Sequence, residues 1–177
     1  MPAIYEVTFL PERRVVNFAA SHRNVYSLAH GIRLPLYRTP VWCRHCHRVT
    51  DGERIDSIEE IDQSLADLSD PNSRVRRQFA NVPFSDDFLQ SMREDALRRR
   101  LWRETRSAPP KCLRCGSAAI FVVPIGEPFA NPDGRGTIEV RPVGIYTENY
   151  PEGDPYDYFT PEGDRIPDHR DASTDCI

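Results

Sequence analysis

Two Cys-x-x-Cys pairs, Cys43 with Cys46 and Cys112 with Cys115, constrain this chain more than any other feature. A two-residue spacer lets both sulfurs of a pair reach one ion. Two such knuckles complete a tetrahedron at about 2.3 Å per Zn–S bond. The opening residues, Met-Pro-Ala-Ile-Tyr-Glu-Val, carry neither the basic segment nor the apolar stretch of a secretory signal. No apolar run approaches the roughly 18 residues that span a bilayer. The expectation is a cytoplasmic protein without membrane association, where thiols stay reduced and paired cysteines read as metal ligands. One structural Zn2+ held by Cys43, Cys46, Cys112 and Cys115 follows. Four thiolates leave no open coordination position, so activation of water at the metal is disfavoured. The ion is a folding staple, worth on the order of 10 kcal/mol to the folded state.

Other chemistries compete for these cysteines. Cys43-Arg44-His45-Cys46-His47 also has the form of a c-type haem attachment string. That reading requires export and leaves the second pair unused. A redox dithiol requires one Cys-x-x-Cys at a helix N-terminus in a βαβ setting, whereas both pairs lie in strand-like sequence. His45 or His47 could replace one thiolate, changing the charge of the site but not its role. Cys112-Leu113-Arg114-Cys115-Gly116 has a glycine just past its second cysteine, where a knuckle often needs positive φ. This pattern resembles the zinc-ribbon group, in which two knuckles lie on β-hairpins. The resemblance covers the four cysteines and a few neighbours. It departs from the common pattern in the spacing, since residues 47–111 insert 65 positions between the knuckles.

The remaining chain supports an α+β fold. Tyr5, Val7 and Phe9 alternate with Glu6 and Thr8, the period of a half-buried strand. Leu10 to Arg13 can turn the chain, and Val15 to Ala20 can return as a hairpin partner. Ile32–Tyr37 and Val41–Trp42 read as short extended pieces split by Pro35 and Pro40. Residues 55–106 read as helical. Asp56 and Ser57 are both candidate N-caps, with Glu59 and Glu60 placed to complete a capping box. Ile58, Ile61, Leu65 and Leu68 form one stripe, ended by Pro71. Val75 and Phe79 can hold a further turn. A longer helix begins at Ser85, with Asp86 and Asp87 in its first turn and Arg98, Arg99, Arg100 and Arg103 near its end, as the helix dipole favours. Its apolar face reads as Leu89, Met92, Ala96 and Leu97, with Phe88 and Leu101 alongside. Ala119–Ile125 is a continuous apolar run. Asn131-Pro132-Asp133-Gly134 signals a turn, and Thr137–Tyr146 can form the answering strand.

Charge is uneven. From Thr147 to the end, nine acidic residues face Arg165 and Arg170, a balance of −7 within a chain of net charge −4. The body is therefore mildly basic, and Lys111 is its one lysine. Arg98, Arg99, Arg103, Arg106 and Lys111, with Arg100, are candidate phosphate contacts, and Arg44, Arg48 and Arg114 flank the knuckles. The blander reading is a solvated helix end with Glu94–Arg98 and Asp95–Arg99 pairs. Tyr150, Tyr156 and Tyr158, with Tyr146 and Phe159, are candidate protein-binding anchors in the acidic segment, or simply pin that segment to the body. Glu152, Asp154 and Asp157 do not match a calcium loop. His22, His30 and His169 are scattered and make no triad. Cys176 reads as an incidental thiol. No glycine-rich phosphate loop and no nucleophile elbow is present.

The sequence thus describes a single α+β zinc-containing domain over 1–146, zinc-ribbon-like in its β portion and split by a helical insertion at about 55–106. An irregular acidic Pro/Gly-rich segment over 147–177 wraps the surface, its end disordered. The expected function is a small zinc-stabilised binding protein whose partner is another protein, by analogy an immunity or accessory protein. Nucleic-acid binding through the arginine-rich helix end is the alternative. An enzyme with a site assembled from dispersed residues such as His22 or His30 is the third.

Overall fold

A computed structural model describes residues 3–19, 24–79, 85–145 and 156–167. The fold is α+β. The chain divides into two compact units, one formed by Met1–Arg54 with Ala108–Ile177 and the other by Ile55–Ser107.

The first unit is built on strands. β1 (Ala3–Leu10) and β2 (Arg14–Ala19) form the expected hairpin, with Val7 opposite Val16. The alternation of β1 sends Tyr5, Val7 and Phe9 to one face. There Tyr5 stacks on Phe18 at 5.2 Å between ring centroids, and the Arg14 guanidinium lies 4.1 Å above the Phe9 ring. β9 (Thr137–Ile145) runs antiparallel along the other edge of β1, and the short β8 (Phe129–Ala130) completes a four-stranded sheet ordered β2-β1-β9-β8.

A second antiparallel sheet has the order β6-β5-β7, from β5 (Arg38–Cys43), β6 (Arg48–Glu53) and β7 (Ile120–Val122). Val7, Ile138 and Val140 of the first sheet share one core with Trp42 and Val49 of the second and with Val123. Each is at most 5% exposed, and burying a side chain of this size is worth about 1.5–3 kcal/mol. Two expectations change here. Pro40 does not break the strand, because the ladder to β7 begins only at Val41, and the Pro40 carbonyl accepts from the Val123 amide at 3.2 Å. No β7 hydrogen bond is lost to the missing N–H. The apolar run after Ala119 is not answered by β9. It pairs with β5, while β9 pairs with β1 and β8.

A third sheet carries β3 (Asn24–Ser27) between β4 (Arg33–Pro35) and a parallel β10 (Asp157–Phe159). The acidic segment is therefore regular at this point. Phe159 is buried, and the chain then turns so that the Ile166 amide donates to the Tyr158 carbonyl at 2.8 Å. Residues 146–155 and 168–177, including Tyr146, Tyr150, His169 and Cys176, lie outside the described residues, as does His22.

The second unit holds α1 (Ile58–Ser69), α2 (Arg74–Phe79) and α3 (Ser85–Thr105). Of the two candidate caps, Ser57 is the one used. Its hydroxyl accepts from the Glu60 amide at 3.1 Å, and the Glu60 carboxylate accepts from the Ser57 amide at 2.7 Å. The α1 stripe buries Ile61 and Leu68. On α3 the inward face differs from the expected one. Leu89, Arg99 and Trp102 are buried, while Phe88, Leu97 and Leu101 are 49%, 44% and 64% exposed. Leu89, Met92, Ala96, Arg99 and Trp102 keep the three- and four-residue steps of one helical face. An arginine stands where the pattern calls for an apolar residue, and its long methylene stem can cover apolar surface. That substitution hides the stripe from a reading of hydrophobicity alone.

Candidate metal centre

Both knuckles grow out of the β6-β5-β7 sheet. Cys43 is the last residue of β5, and Arg44–His47 turn the chain into β6. The turn is tight: His47 adopts φ 52°, and the Cys46 amide donates to Cys43 Sγ at 3.4 Å. In the second knuckle the Cys112 amide donates to the Ser117 carbonyl and the Gly116 amide to the Cys112 carbonyl, each at 2.9 Å. Gly116 sits at φ 72°, as its position after the second cysteine requires.

The long separation in sequence costs little, because the chain leaves and re-enters the sheet at adjacent points. The Glu53 amide at the end of β6 donates to the Lys111 carbonyl at 2.9 Å, and Cys112 bridges Gly52. The Leu113 amide donates to the Asp51 carbonyl at 3.0 Å, and the Arg44 amide to the Ala119 carbonyl at 2.9 Å. Three backbone hydrogen bonds, two of which make up the Gly52–Cys112 bridge, thus hold the second knuckle and its continuation against the first hairpin. Within the hairpin itself Gly52 lets β5 and β6 pack closely, since a Cβ there would lie 2.6 Å from both methyl carbons of Val41.

The four sulfurs converge. Cys43 Sγ is 3.6 Å from Cys115 Sγ, Cys46 Sγ is 4.0 Å from Cys112 Sγ, and all four lie within 4.8 Å of one another. A regular tetrahedron with Zn–S bonds of 2.3 Å has sulfur–sulfur edges of about 3.8 Å. These two cross-knuckle separations bracket that edge. A disulfide needs about 2.05 Å, so all four cysteines are free thiols. The cluster is consistent with a zinc-ribbon-like site, and its donor set suits a structural metal ion. The sulfur tetrad includes neither histidine. His45 is exposed, and His47 Nδ1 contacts Asp133 Oδ2 at 2.6 Å.

Electrostatics make the cluster a demanding one without a cation. Burial holds the Cys112 thiol up at about 11, even though the backbone amides of Cys115 and Arg114 favour its thiolate. Burial and hydrogen bonds with Cys115 and Cys43 raise Cys46 as well. At Cys115 burial again pushes upward, but the Ser117 amide and the neighbouring thiols outweigh it and leave the group below its ordinary value. Crowded sulfurs resist sharing several negative charges, so a divalent cation and the release of thiol protons go together.

Two carboxylates support the sheet beneath the knuckles. Glu53 is 2% exposed, and accepts from the Tyr26 hydroxyl and the Lys111 amide, each at 2.8 Å. It ties β3 to the segment entering the second knuckle. Asp51 pairs with Arg38 at 3.4 Å, and burial lifts its carboxyl to about 6 against the opposing pull of Arg38. Neither residue carries a recognisable sequence signal. Both stand on β6, where the register is fixed only once β5 and the distant second knuckle are in place.

The candidate phosphate contacts are dispersed in their roles. Arg98 pairs with Asp95 at 3.1 Å and with Glu94 at 3.5 Å. Arg100 pairs with Asp62 at 2.7 Å and with Glu104. Arg99 and Arg106 are buried, the latter 5.1 Å from the Trp102 ring. Arg103 donates to the Arg106 carbonyl at 3.3 Å. Lys111, in the strand unit, pairs with Asp164 at 2.5 Å. Among the protein-binding candidates, Tyr156 and Tyr158 both lie near the Arg33 guanidinium, at 5.6 and 5.2 Å. His30 is exposed in a short 3-10 turn. No helix among the described residues is long and apolar enough to cross a membrane.

No protein-family model, no curated protein and no solved structure matches the chain.

Proposed function

We propose that this chain is a small zinc-stabilised protein-binding module. In this reading the two knuckles form a zinc ribbon whose halves are separated by the helical unit, and zinc is the structural ion. A sulfur-saturated ion holds the hairpin and the second knuckle together and offers no site for water activation.

The observation that favours a protein partner over a nucleic acid is the internal engagement of the helix-end cations. Arg98 and Arg100 face carboxylates of their own unit, Arg99 and Arg106 are buried, and Lys111 faces Asp164. Such cations are poorly placed to exchange counterions for phosphates.

The test is a salt titration of the zinc-loaded full chain on generic DNA and RNA, paired with affinity capture from the native host. The expected result is no nucleic-acid retention at about 50 mM salt, and a stoichiometric protein partner that persists when the salt is raised. Retention on DNA or RNA that falls steeply with salt overturns the reading.

A further inference from the structure

Beside the first knuckle the strand unit carries a cavity of about 320 Å³. One wall is the inward face of β1 and β2, with Val7, Phe9, Val16 and Phe18. The facing wall is the turn from Cys46 through Val49. Three cationic or protonatable side chains line it: Arg14, His47 and Arg48. The volume falls at the small end of ligand sites, which run from about 300 to 1,000 Å³ and pair an apolar lining with a few polar groups.

We infer that this cavity binds a small amphiphilic anion, a carboxylate carrying an aromatic or branched apolar group. The apolar body would contact the Phe9, Phe18 and valine surfaces, and the carboxylate would meet Arg14 and Arg48.

The charge balance supports an anion. A divalent ion on four thiolates leaves two negative charges in excess. Arg44, Arg48 and Arg114 flank the tetrad in sequence and more than offset them. The His47 ring is engaged by Asp133 at 2.6 Å. Arg14 adds a further positive charge on the opposite wall, held over the Phe9 ring at 4.1 Å. A guanidinium carries its N–H donors in one plane, which suits bidentate capture of a carboxylate. The aromatic pair Tyr5–Phe18 extends the same wall, so part of the apolar surface is already ordered and little side-chain entropy is lost on binding.

The site differs from the metal centre in what it needs. Cys46 belongs to both, but the binding contacts come from the Phe9, Phe18 and valine surfaces and from Arg14 and Arg48, and they do not depend on what partner the module binds. Its probe can be an ordinary compound: 4-phenylbutyrate, with the neutral 4-phenylbutyramide as control. The measurement is a titration of the zinc-loaded, isotope-labelled full chain followed by amide and methyl NMR shifts. Saturable shifts at Val7, Phe9, Val16, Phe18 and Val49 are expected, with a Kd of about 1 mM or tighter. The amide control should bind about tenfold more weakly.

Arg14→Gln and Arg48→Gln should each weaken the acid by about fivefold to tenfold and leave the amide control unchanged. Val16→Trp, which fills the cavity, should abolish binding of both compounds while zinc content and the remaining spectrum are retained. Shifts confined to other surfaces, equal affinity for acid and amide, or no saturable shift up to about 10 mM would each overturn the inference.

Discussion

Replacement of Asp51 by asparagine should stabilise the protein, although it removes the partner of an arginine. The Asp51 side chain is 17% exposed, and its contact with Arg38 is long, at 3.4 Å. Burial raises the carboxyl from 3.8 to about 6, and the attraction of Arg38 only partly opposes that rise. The charged form is therefore a net cost in the folded state. The gap between 3.8 and about 6 corresponds to about 3 kcal/mol at 25 °C. Because the folded value lies above the unfolded one, this group's favourable contribution is fully present below about pH 4. It is lost as the pH rises through about 6.

Asparagine keeps the shape and abolishes the titration, at the expense of Arg38's counterion. The expected net gain is about 1–3 kcal/mol at pH 7.5, shrinking toward zero or reversing as the pH approaches 5. The assay is urea unfolding of the zinc-loaded wild type and Asp51→Asn at several values between pH 5 and 8, read as the difference between the two proteins. The metal contribution is common to both and cancels in that difference. A variant less stable than wild type by more than about 1 kcal/mol at pH 7.5, with a difference independent of pH, would refute the reasoning. It would mean that the Arg38 pair outweighs the burial of the charge.

Three other perturbations test the architecture. Elemental analysis should find one zinc per chain, and Cys112→Ser should lose it, with metal affinity of the wild type falling as the pH is lowered and the thiolates take up protons; unchanged zinc in the variant would sink the tetrad. Gly52→Ala should cost about 1–3 kcal/mol in urea unfolding, because its Cβ would meet both Val41 methyl carbons at 2.6 Å; a neutral result would mean that β5 and β6 can separate freely. Tyr26→Phe should cost about 1.5–3 kcal/mol by removing a 2.8 Å donor from the buried Glu53 carboxylate. It should also loosen the second knuckle, seen as faster metal loss to a chelator, and an unaffected off-rate would separate Glu53 from the metal site.

Much of the local structure could be read directly from residue order. The β1–β2 hairpin, the Ser57–Glu60 capping box, the inward stripe of α1 and the positive φ of Gly116 each depend on neighbours within a few positions. Such features rest on backbone sterics and side-chain period, which act over one or two turns. Local rules fail where a distant strand decides. Pro40 looks like a strand breaker until β7 is seen to start beyond it. The apolar run at Ile120–Val122 looks like a partner for β9 until Trp42 and Cys43 of β5 claim it. On α3 the buried face includes Arg99, which no hydrophobicity pattern would place inward.

Sequence alone determined the candidate ligands: four cysteines in two short loops, each able to present both sulfurs to one ion. Only the tertiary structure decided that the two loops meet. Glu53 and Lys111 lie side by side although 58 positions separate them, and that adjacency closes the helical excursion with little disturbance to the sheet. The cavity beside Cys46 is likewise absent from the sequence, because its walls come from β1, β2 and β6 and exist only when those strands pack. Knuckle chemistry is local and legible, whereas convergence and cavities depend on chain closure over long separations, which residue order does not encode in any short pattern.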